Sequence, residues 1–250
     1  MAEGDLHDKV ALITGGAQRI GGALSRAFHA AGMRLVVHYH SSEAEAHALQ
    51  AELHRIRPDS VMLVRGDLAT GERLHRNLVF ETVEAFGRLD VLINNAGLFY
   101  PTEFGQATEA QWDELMAVNL KAPFFLSQAA APHLRKHNGV IINIADVYGE
   151  RPLPNYPIYS IAKAGVIMLT RALARELGPD VRVNGIAPGA ILWPQHGLDE
   201  MSKQRIISRT ALKRAGDPAE VARAALYLVR DATYTTGQVI AVDGGRSVFI

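Results

Sequence analysis

The chain has 250 residues, of which 48% are hydrophobic and 21% charged, a balance typical of a globular protein with a sizeable core. Lysine plus arginine and aspartate plus glutamate both number 26, so the formal net charge is zero and no nucleic-acid partner is predicted. The absence of cysteine excludes disulfides, thiolate metal sites and cysteine nucleophiles. No apolar run approaches the roughly 20 residues that cross a bilayer, and the polar start is unlike a signal peptide. A cytoplasmic protein with no membrane partner is therefore predicted.

The first apolar run predicts a buried strand at residues 9–14, which leads into a glycine-rich turn at 15–22 and a helix over 23–31. This order predicts a phosphate site, because backbone N–H groups and the positive end of the helix can meet a pyrophosphate there. The alternative is a tight turn between packed elements. The candidate cofactor contacts in this turn are Gly15, Arg19, Ile20 and Gly21.

A second strand, 34–40, should end beside the adenosine ribose of a bound dinucleotide. Sites that prefer NAD usually carry an acid there, but this chain has none before Glu43. Without a carboxylate a 2′-phosphate is not repelled, and hydroxyl and imidazole groups can donate to it, so NADP is predicted over NAD. The alternative is that the histidines only cap the strand. The candidates are His38, Tyr39, His40 and Ser41.

The rest of the chain alternates strands and helices without a break. Further strands are predicted at 60–66, 89–94, 140–145, 181–187 and 238–242, with helices at 43–56, 72–86, 157–177 and 218–229. The segment 109–136 is predicted to form one or two helices around Asn119. This alternation predicts an α/β fold over 1–250: a single-domain, Rossmann-like, doubly wound parallel sheet of about seven strands. Residues 190–216 show no firm period and are predicted to be a substrate lid.

Open parallel sheets bind ligands at the carboxyl ends of their strands. Asp67 could receive the adenine amino group there, or cap the next helix. Phe99 could stack on a flat substrate, or pack into the core. Asn119 lies within a helix where its propensity is poor, so its amide is expected to serve a backbone or water network. The other strand-end candidates are Leu68, Asn95, Ala96, Gly97, Pro188 and Gly189.

Tyr159 and Lys163 are four residues apart on a predicted helix and share one face. An ammonium beside a phenol favours the phenolate, so Lys163 is expected to bring the pKa of Tyr159 closer to neutrality. The bland alternative is a snorkelling lysine on an amphipathic helix. Asp146 ends the fifth strand, where it could be a cap. An ionised carboxylate only accepts hydrogen bonds, so unless protonated it would repel a carbonyl oxygen and would suit a substrate with N–H groups.

Taken together, these signals resemble the short-chain dehydrogenase/reductase family over essentially the whole chain. The resemblance implies Tyr159 as proton donor, Lys163 as a ligand of the nicotinamide ribose and Asn119 as the holder of a proton-relay water. It also implies a homotetramer with interfaces built partly by helices 109–136 and 157–177. The matching motifs are Thr14-Gly15 with Gly21, Asp67, Asn94-Asn95-Ala96-Gly97, Asn119, Tyr159-x-x-x-Lys163, Pro188-Gly189 and Asp243-Gly244-Gly245.

Two departures from the general family pattern resemble its pteridine reductase branch. Arg19 stands where most members carry glycine, and Asp146 stands in place of the usual catalytic serine. The runs His38–Ser41 and Phe99–Thr102 also look like this branch, although an arginine often occupies the place of Ser41 there. In the branch, the arginine lies near the cofactor phosphates and substrate, the aromatic stacks on the pterin, and an Asp–Tyr pair transfers protons.

The sequence therefore predicts an NADPH-dependent reductase of pteridines such as dihydrobiopterin, dihydromonapterin or dihydrofolate. The alternatives are an NADPH-dependent carbonyl or 3-oxoacyl thioester reductase and a catalytically inactive, cofactor-binding regulatory protein. The histidines show no metal-ligand spacing, so no metal is predicted. The apolar tail 246–250 is expected to pack at a subunit interface. The predicted substrate contacts are Arg19, Phe99, Asp146 and Tyr159.

Overall fold

A computed structural model describes residues 5–192 and 199–248, and its strands form one parallel sheet. The order across the sheet is β3-β2-β1-β4-β5-β6-β7, and every neighbouring pair is parallel. The predicted seven-stranded α/β fold is thereby confirmed. The strands are β1 (Val10–Ile13), β2 (Arg34–Tyr39), β3 (Val61–Arg65), β4 (Val91–Asn94), β5 (Val140–Ile144), β6 (Arg182–Pro188) and β7 (Val239–Val242).

Helices connect the strands, and their bounds differ from the predictions at two places. The first helix begins at Arg19 rather than at 23, so the last two glycines of the motif lie in its first turn. A short helix within 190–216 was missed because its polar sequence has no apolar stripe. The helices are α1 (Arg19–Ala30), α2 (Glu43–Ile56), α3 (Glu72–Phe86), α4 (Glu109–Met116), α5 (Ala122–Arg135), α6 (Pro157–Leu177), α7 (Glu200–Ser208) and α8 (Pro218–Arg230).

Both faces of the sheet are covered, which explains why its strands read as continuous apolar runs. Successive side chains point to opposite faces, so Leu12 and Ile13 belong to different core clusters. Ile13 packs on the side that holds Phe28 of α1 and Leu228 of α8. Leu12 packs on the other side with Leu126 of α5. Within the described ranges, no helix is both long and apolar enough to cross a membrane.

Candidate active site

The glycine turn after β1 is built around two positions that only glycine fits. Gly15 has a φ of 59°, a left-handed conformation that side chains disfavour. A Cβ on Gly21 would lie 2.0 Å from the carbonyl oxygen of Gly15. The turn therefore folds directly onto the start of α1, leaving room for a phosphate group above the helix N-terminus. Arg19, the first residue of α1, also has a left-handed φ of 52°, a conformation that favours glycine.

Asn95 fastens this turn to the loop after β4. Its Nδ2 donates to the carbonyl oxygens of Thr14 at 2.9 Å and Gly15 at 3.0 Å. The Thr14 hydroxyl in turn accepts from the backbone N–H groups of Asn95 and Ala96, both at 3.0 Å. Two loops that are 80 residues apart in the chain thus form one rigid wall. Asn95 and Ala96, two of the strand-end candidates, are thereby brought beside Gly15.

A cleft of about 510 Å³ lies along the carboxyl ends of β1 to β4. The glycine turn at one side of this cleft, which would receive the pyrophosphate of an elongated dinucleotide, can pack this closely onto α1 only with glycine at position 21. Tyr159, Lys163, Pro188 and Gly189 do not contribute to its lining. Pro188 instead ends β6, and the Gly189 N–H donates to Val242. The predicted cofactor residues that line the cleft are Gly15, Arg19, Ile20, Gly21, His38, Tyr39, His40, Ser41, Asp67, Leu68, Asn95, Ala96 and Gly97.

His38 is a buried structural residue, which corrects its predicted role as a donor to a 2′-phosphate. Its side chain is 2% exposed, and its Nδ1 accepts from the Gly15 N–H at 3.3 Å. Its Nε2 faces the carbonyl oxygen of Gly66 at 3.0 Å, so Nε2 carries the proton. Burial lowers the pKa of His38 to about 4, and the ring is therefore neutral at pH 7. A neutral ring with both nitrogens occupied has no donor left for an anion.

The end of β2 leaves other polar groups facing the cleft. His40 and Ser41 are exposed there, and Gln18 Nε2 donates to the Ser42 hydroxyl at 2.7 Å. No carboxylate from 38–42 enters this end of the cleft. Asp67 lines it too, while its Oδ1 accepts from the Ala69 N–H at 2.9 Å and caps a short 3₁₀ turn. Asp67 thus acts as a cap, but of this 3₁₀ turn and not of α3, whose N-cap is Gly71.

Asp146 and Tyr159 form the centre of the site. The Tyr159 hydroxyl donates to Asp146 Oδ2 at 2.7 Å. The other carboxylate oxygen accepts from the Tyr148 N–H at 2.9 Å and caps the 3₁₀ turn Val147–Gly149. The two readings of Asp146, a cap and a partner of Tyr159, are therefore both realised, one on each oxygen. Burial raises the pKa of Asp146, opposed by these two hydrogen bonds and by the charges of Lys163 and Arg246.

Lys163 does not lower the pKa of Tyr159 in this structure, so that expectation was wrong. Burial, the negative charge of Asp146 and the hydrogen bond to it raise the pKa of Tyr159 well above its usual value. The Lys163 ammonium donates to the Ile144 carbonyl oxygen at 2.8 Å and lies 5.8 Å from the Tyr159 ring centroid. Burial lowers the pKa of Lys163 to about 8. The phenol therefore stays protonated and can act as a donor.

Asn119 belongs to a π-helical turn, Ala117–Lys121, between α4 and α5. Its amide donates to the carbonyl oxygens of Leu98 at 3.1 Å and Leu115 at 3.0 Å. Its Oδ1 accepts from the Leu98 N–H at 3.2 Å. Of the two networks that the sequence allowed, the side chain serves the backbone, which fixes the loop before Phe99. The predicted relay water would have to use the remaining lone pair of Oδ1 or the backbone.

Phe99 forms an aromatic wall beside Tyr159 and is 42% exposed, so it does not pack into the core. It stacks on Tyr156 with ring centroids 4.5 Å apart and 13° between the planes. It also makes an edge-to-face contact with Tyr159, with ring centroids 4.8 Å apart and 78° between the planes. Sequence reasoning missed Tyr156, although its place three residues before Tyr159 could have indicated it.

Two more residues near Asp146 were missed by the sequence prediction, Tyr148 and Arg246. Arg246 is 6% exposed and its Nη2 donates to the Tyr148 hydroxyl at 3.3 Å. Arg246 was assigned to a tail at a subunit interface, but the chain's own side chains bury it. Residues 249 and 250, the apolar end of that tail, lie outside the described residues.

The predicted lid is described at 190–192 and 199–216. Its helix α7 begins after Asp199, whose side chain accepts from the Ser202 N–H at 2.7 Å. Trp193, Pro194 and His196 of this segment lie outside the described residues. The lid function stays a prediction. Among the side chains that the structure describes, no group of three His, Asp or Glu residues could hold a metal ion.

Comparisons with known proteins agree with the fold and the motifs. The family model described as enoyl-(acyl carrier protein) reductase matches residues 15–247. The chain is 39% identical to a protein of Streptomyces violaceoruber assigned as a ketoacyl reductase of granaticin polyketide synthase, covering 94% of this chain and 95% of that one. It is 37% identical to the 3-oxoacyl-[acyl-carrier-protein] reductase FabG of Thermotoga maritima, covering 96% and 98%. It is 39% identical to L-fucose dehydrogenase of Mus musculus, covering 96% and 89%.

The names of these relatives agree with the carbonyl-reductase alternative better than with pteridine reduction. They agree with an oxidoreductase on a nicotinamide-binding scaffold, which the glycine turn and the Tyr159–Lys163 pair had indicated. The chain belongs to the short-chain dehydrogenase/reductase family.

Proposed function

We propose that this oxidoreductase uses NADPH to reduce a pteridine and that Asp146 and Tyr159 deliver the proton. The observation that carries the proposal is the 2.7 Å hydrogen bond from the Tyr159 hydroxyl to the Asp146 carboxylate. A serine hydroxyl, the usual group after the fifth strand in the family pattern, would donate to a ketone. Here the corresponding group is an acid that can carry a proton.

The proton path follows from the chemistry of the pair. Burial raises the pKa of Asp146, so its carboxyl group can take up a proton from solvent. Protonated Asp146 donates to the Tyr159 oxygen, and Tyr159 passes its own proton to the ring nitrogen that gains the electron pair. The carboxylate that results accepts from the Tyr159 hydroxyl, which is the arrangement observed. The ionised pair offers acceptors, which match the N–H and amino groups of a pterin and oppose an alkoxide.

A flat substrate is favoured by the walls of the site. The partly exposed Phe99 ring stacks on Tyr156 and makes an edge-to-face contact with Tyr159. Aromatic faces bind planar rings in offset or edge-on contacts that are worth about 0.5–1.5 kcal/mol beyond burial. A pterin beside this wall would lie within reach of the Tyr159 hydroxyl.

The cofactor would occupy the cleft at the carboxyl ends of β1 to β4. When bound, NADPH supplies the hydride. The glycine turn would receive the pyrophosphate through its backbone N–H groups, and Arg19 would balance the negative charge of the pyrophosphate. His40 and Ser41 would face the 2′-phosphate. Lys163 would bind the nicotinamide ribose. The preference for NADPH over NADH is supported by the lack of a carboxylate at the end of β2.

Reduction of a 3-oxoacyl thioester or another carbonyl compound is a second candidate. It is favoured by the ketoacyl reductase and 3-oxoacyl-[acyl-carrier-protein] reductase among the relatives. Protonated Asp146 could donate to a carbonyl oxygen as a serine does. In that case the acid would have to keep its proton throughout the cycle.

One assay separates the two candidates. NADPH oxidation is measured with dihydrobiopterin, dihydromonapterin and dihydrofolate, and in parallel with an acetoacetyl thioester and a simple ketone. Turnover of pterins and not of carbonyl compounds is expected. Turnover of the carbonyl compounds alone would refute the pteridine proposal and leave the family assignment intact. No turnover of any compound by a folded, NADPH-binding protein would favour the regulatory alternative.

The variant Asp146→Ser tests the role of the acid in the same assay. We expect pterin turnover to fall and ketone turnover to rise. Serine donates to a carbonyl oxygen but has no side-chain carboxyl group that could relay a proton from solvent. Asp217→Ser is a matched control, since Asp217 caps α8 away from this site and Ser is also an accepted cap. Unchanged pterin turnover in Asp146→Ser would overturn the assignment.

We further propose the homotetramer, with helices 109–136 and 157–177 at its interfaces. The support is a set of exposed apolar side chains on these helices, such as Trp112 at 43%, Phe124 at 42% and Met168 at 60% exposure. Mass photometry of Met168→Glu should show smaller species, whereas Ile56→Glu at the end of α2 should not. A wild-type monomer would refute the proposal. The cytoplasmic location stays a prediction from the sequence.

A further inference from the structure

Arg246 is a buried cation that neither the motifs nor the proposed chemistry explain. It lies in a 3₁₀ turn, Arg246–Val248, and is 6% exposed. The Asp243 carboxylate accepts from the N–H groups of Gly245 at 2.8 Å and Ser247 at 2.7 Å, which folds the chain back and directs Arg246 inward. Among residues 5–192 and 199–248 no carboxylate forms an ion pair with it, and its Nε is buried without a hydrogen-bond partner. A cation buried in this way is costly.

The guanidinium connects three separate parts of the chain. Its Nη2 donates to the Tyr148 hydroxyl at 3.3 Å, and its carbon lies 5.9 Å from the centre of the Tyr148 ring. Its Nη1 donates to the Ile206 carbonyl oxygen at 3.2 Å, in the last part of α7. Tyr148 follows Asp146 by two residues, and its backbone N–H donates to that carboxylate. Arg246 thus holds both the segment that carries Asp146 and the helix of the predicted lid.

Arg246 also contributes a permanent charge to the site. The groups that act on Asp146 are the Tyr148 N–H, the Tyr159 hydroxyl, the Lys163 ammonium and the Arg246 guanidinium, and all of them oppose the effect of burial. Lys163 loses its charge as the pH passes its pKa of about 8. Arginine keeps its charge throughout the working range of an enzyme. Above that pH, Arg246 is the cation that still acts on Asp146.

We propose that Arg246 is a positioning residue for the reduction: it ties Tyr148, whose backbone holds the Asp146 carboxylate, to the end of α7, and its positive charge favours the ionised form of Asp146. The inference rests on the proposed function because it takes Asp146 as the proton carrier. Without the charge of Arg246, Asp146 would have the Lys163 ammonium as the cation that opposes burial, and it would release its proton only at a higher pH.

The first test is a direct titration of Asp146 in the full-length protein. The protein is labelled with [4-13C]aspartate, and the Asp146 signal is identified by its loss in Asp146→Asn. In Arg246→Gln, which keeps amide donors and removes the charge, the midpoint should move up by about one pH unit. In Arg246→Lys it should stay near the wild-type value. The control is Arg230→Met, because Arg230 is an exposed arginine paired with Asp231. This substitution should leave the Asp146 midpoint unchanged.

An unchanged Asp146 midpoint in Arg246→Gln would overturn the proposal. If Arg246→Gln does not fold, the titration is made with Arg246→Met instead. Activity gives the second readout. As the pH rises and Asp146 loses its proton, kcat/KM should fall. This fall should occur at a higher pH in Arg246→Gln than in the wild type, and at the wild-type pH in Arg246→Lys. If Arg246 only supported the fold, both substitutions would lower kcat and the melting temperature without changing the pH at which kcat/KM falls. This result would also refute the proposal. A shifted Asp146 titration in a protein that turns over no pterin would uphold the electrostatic role and refute the proposed function.

Discussion

His38 should make the stability of this protein fall sharply in mild acid. Burial lowers the pKa of His38 to about 4 in the folded state, whereas an unfolded histidine titrates near 6.5. Between these values the unfolded chain binds a proton that the folded chain does not, so the free energy of unfolding decreases as the pH falls. Each pKa unit corresponds to about 1.4 kcal/mol, which gives about 3 kcal/mol in total and about 2 kcal/mol between pH 7 and pH 5.

The measurement is urea unfolding of the wild type and of His38→Asn at pH 7 and pH 5. Asparagine keeps an acceptor for the Gly15 N–H and does not titrate, so its stability should fall by about 2 kcal/mol less than that of the wild type. His47→Asn is the matched control, because His47 is exposed on α2 and should not change the dependence. His29 and His75, whose pKa values burial also lowers, are present in all three proteins and cancel in the comparison.

An equally steep loss of stability in His38→Asn would refute the reasoning, because it would show that His38 is protonated in the folded protein or accessible to water. Protonation of His38 in the folded protein, which requires a pH near 4, has a separate consequence for the site. A protonated ring cannot accept from the Gly15 N–H, so the glycine turn should loosen. Cofactor affinity of the wild type is therefore expected to hold between pH 7 and pH 5 and to weaken as the pH approaches 4, and that of His38→Asn to weaken less there.

Three further variants test the site and its support. Gly21→Ala should lower cofactor affinity at least about tenfold and destabilise the fold by about 1–3 kcal/mol, because its Cβ would meet backbone at 2.0 Å. Isothermal titration with NADPH should show a much smaller loss for Gly22→Ala, whose Cβ would come no closer than 3.2 Å to a flexible arginine and 3.3 Å to the Ala17 carbonyl oxygen. Tyr159→Phe should reduce turnover by orders of magnitude with cofactor affinity largely kept, and normal turnover would refute the role of Tyr159 as proton donor. The control is Tyr227→Phe, because Tyr227 is 51% exposed. Asp90→Ala should cost about 3–5 kcal/mol in urea unfolding, since the 4%-exposed carboxylate accepts from a β1 N–H and from an arginine; a loss under 1 kcal/mol would contradict this.

The sequence by itself determined the features that depend on neighbours along the chain. Apolar runs separated by helical segments predicted a parallel sheet, because strands buried on both faces must be apolar throughout. The glycine turn and the pair Tyr159–Lys163 are also local patterns, set by φ angles and by helical spacing. Asp146 could be placed at the active edge because strand ends in such a sheet share one side.

Only the tertiary structure decided the properties that depend on burial and on distant contacts. His38 and His40 are two residues apart, yet one is buried and neutral while the other is exposed at the cleft. The pKa of Tyr159 rises rather than falls, because burial and Asp146 outweigh the lysine on the next turn. Arg246 and Tyr148 are 98 residues apart, and no periodicity along the chain records their contact. Charge states at this site follow from which groups the fold buries together, and a linear pattern does not contain that information.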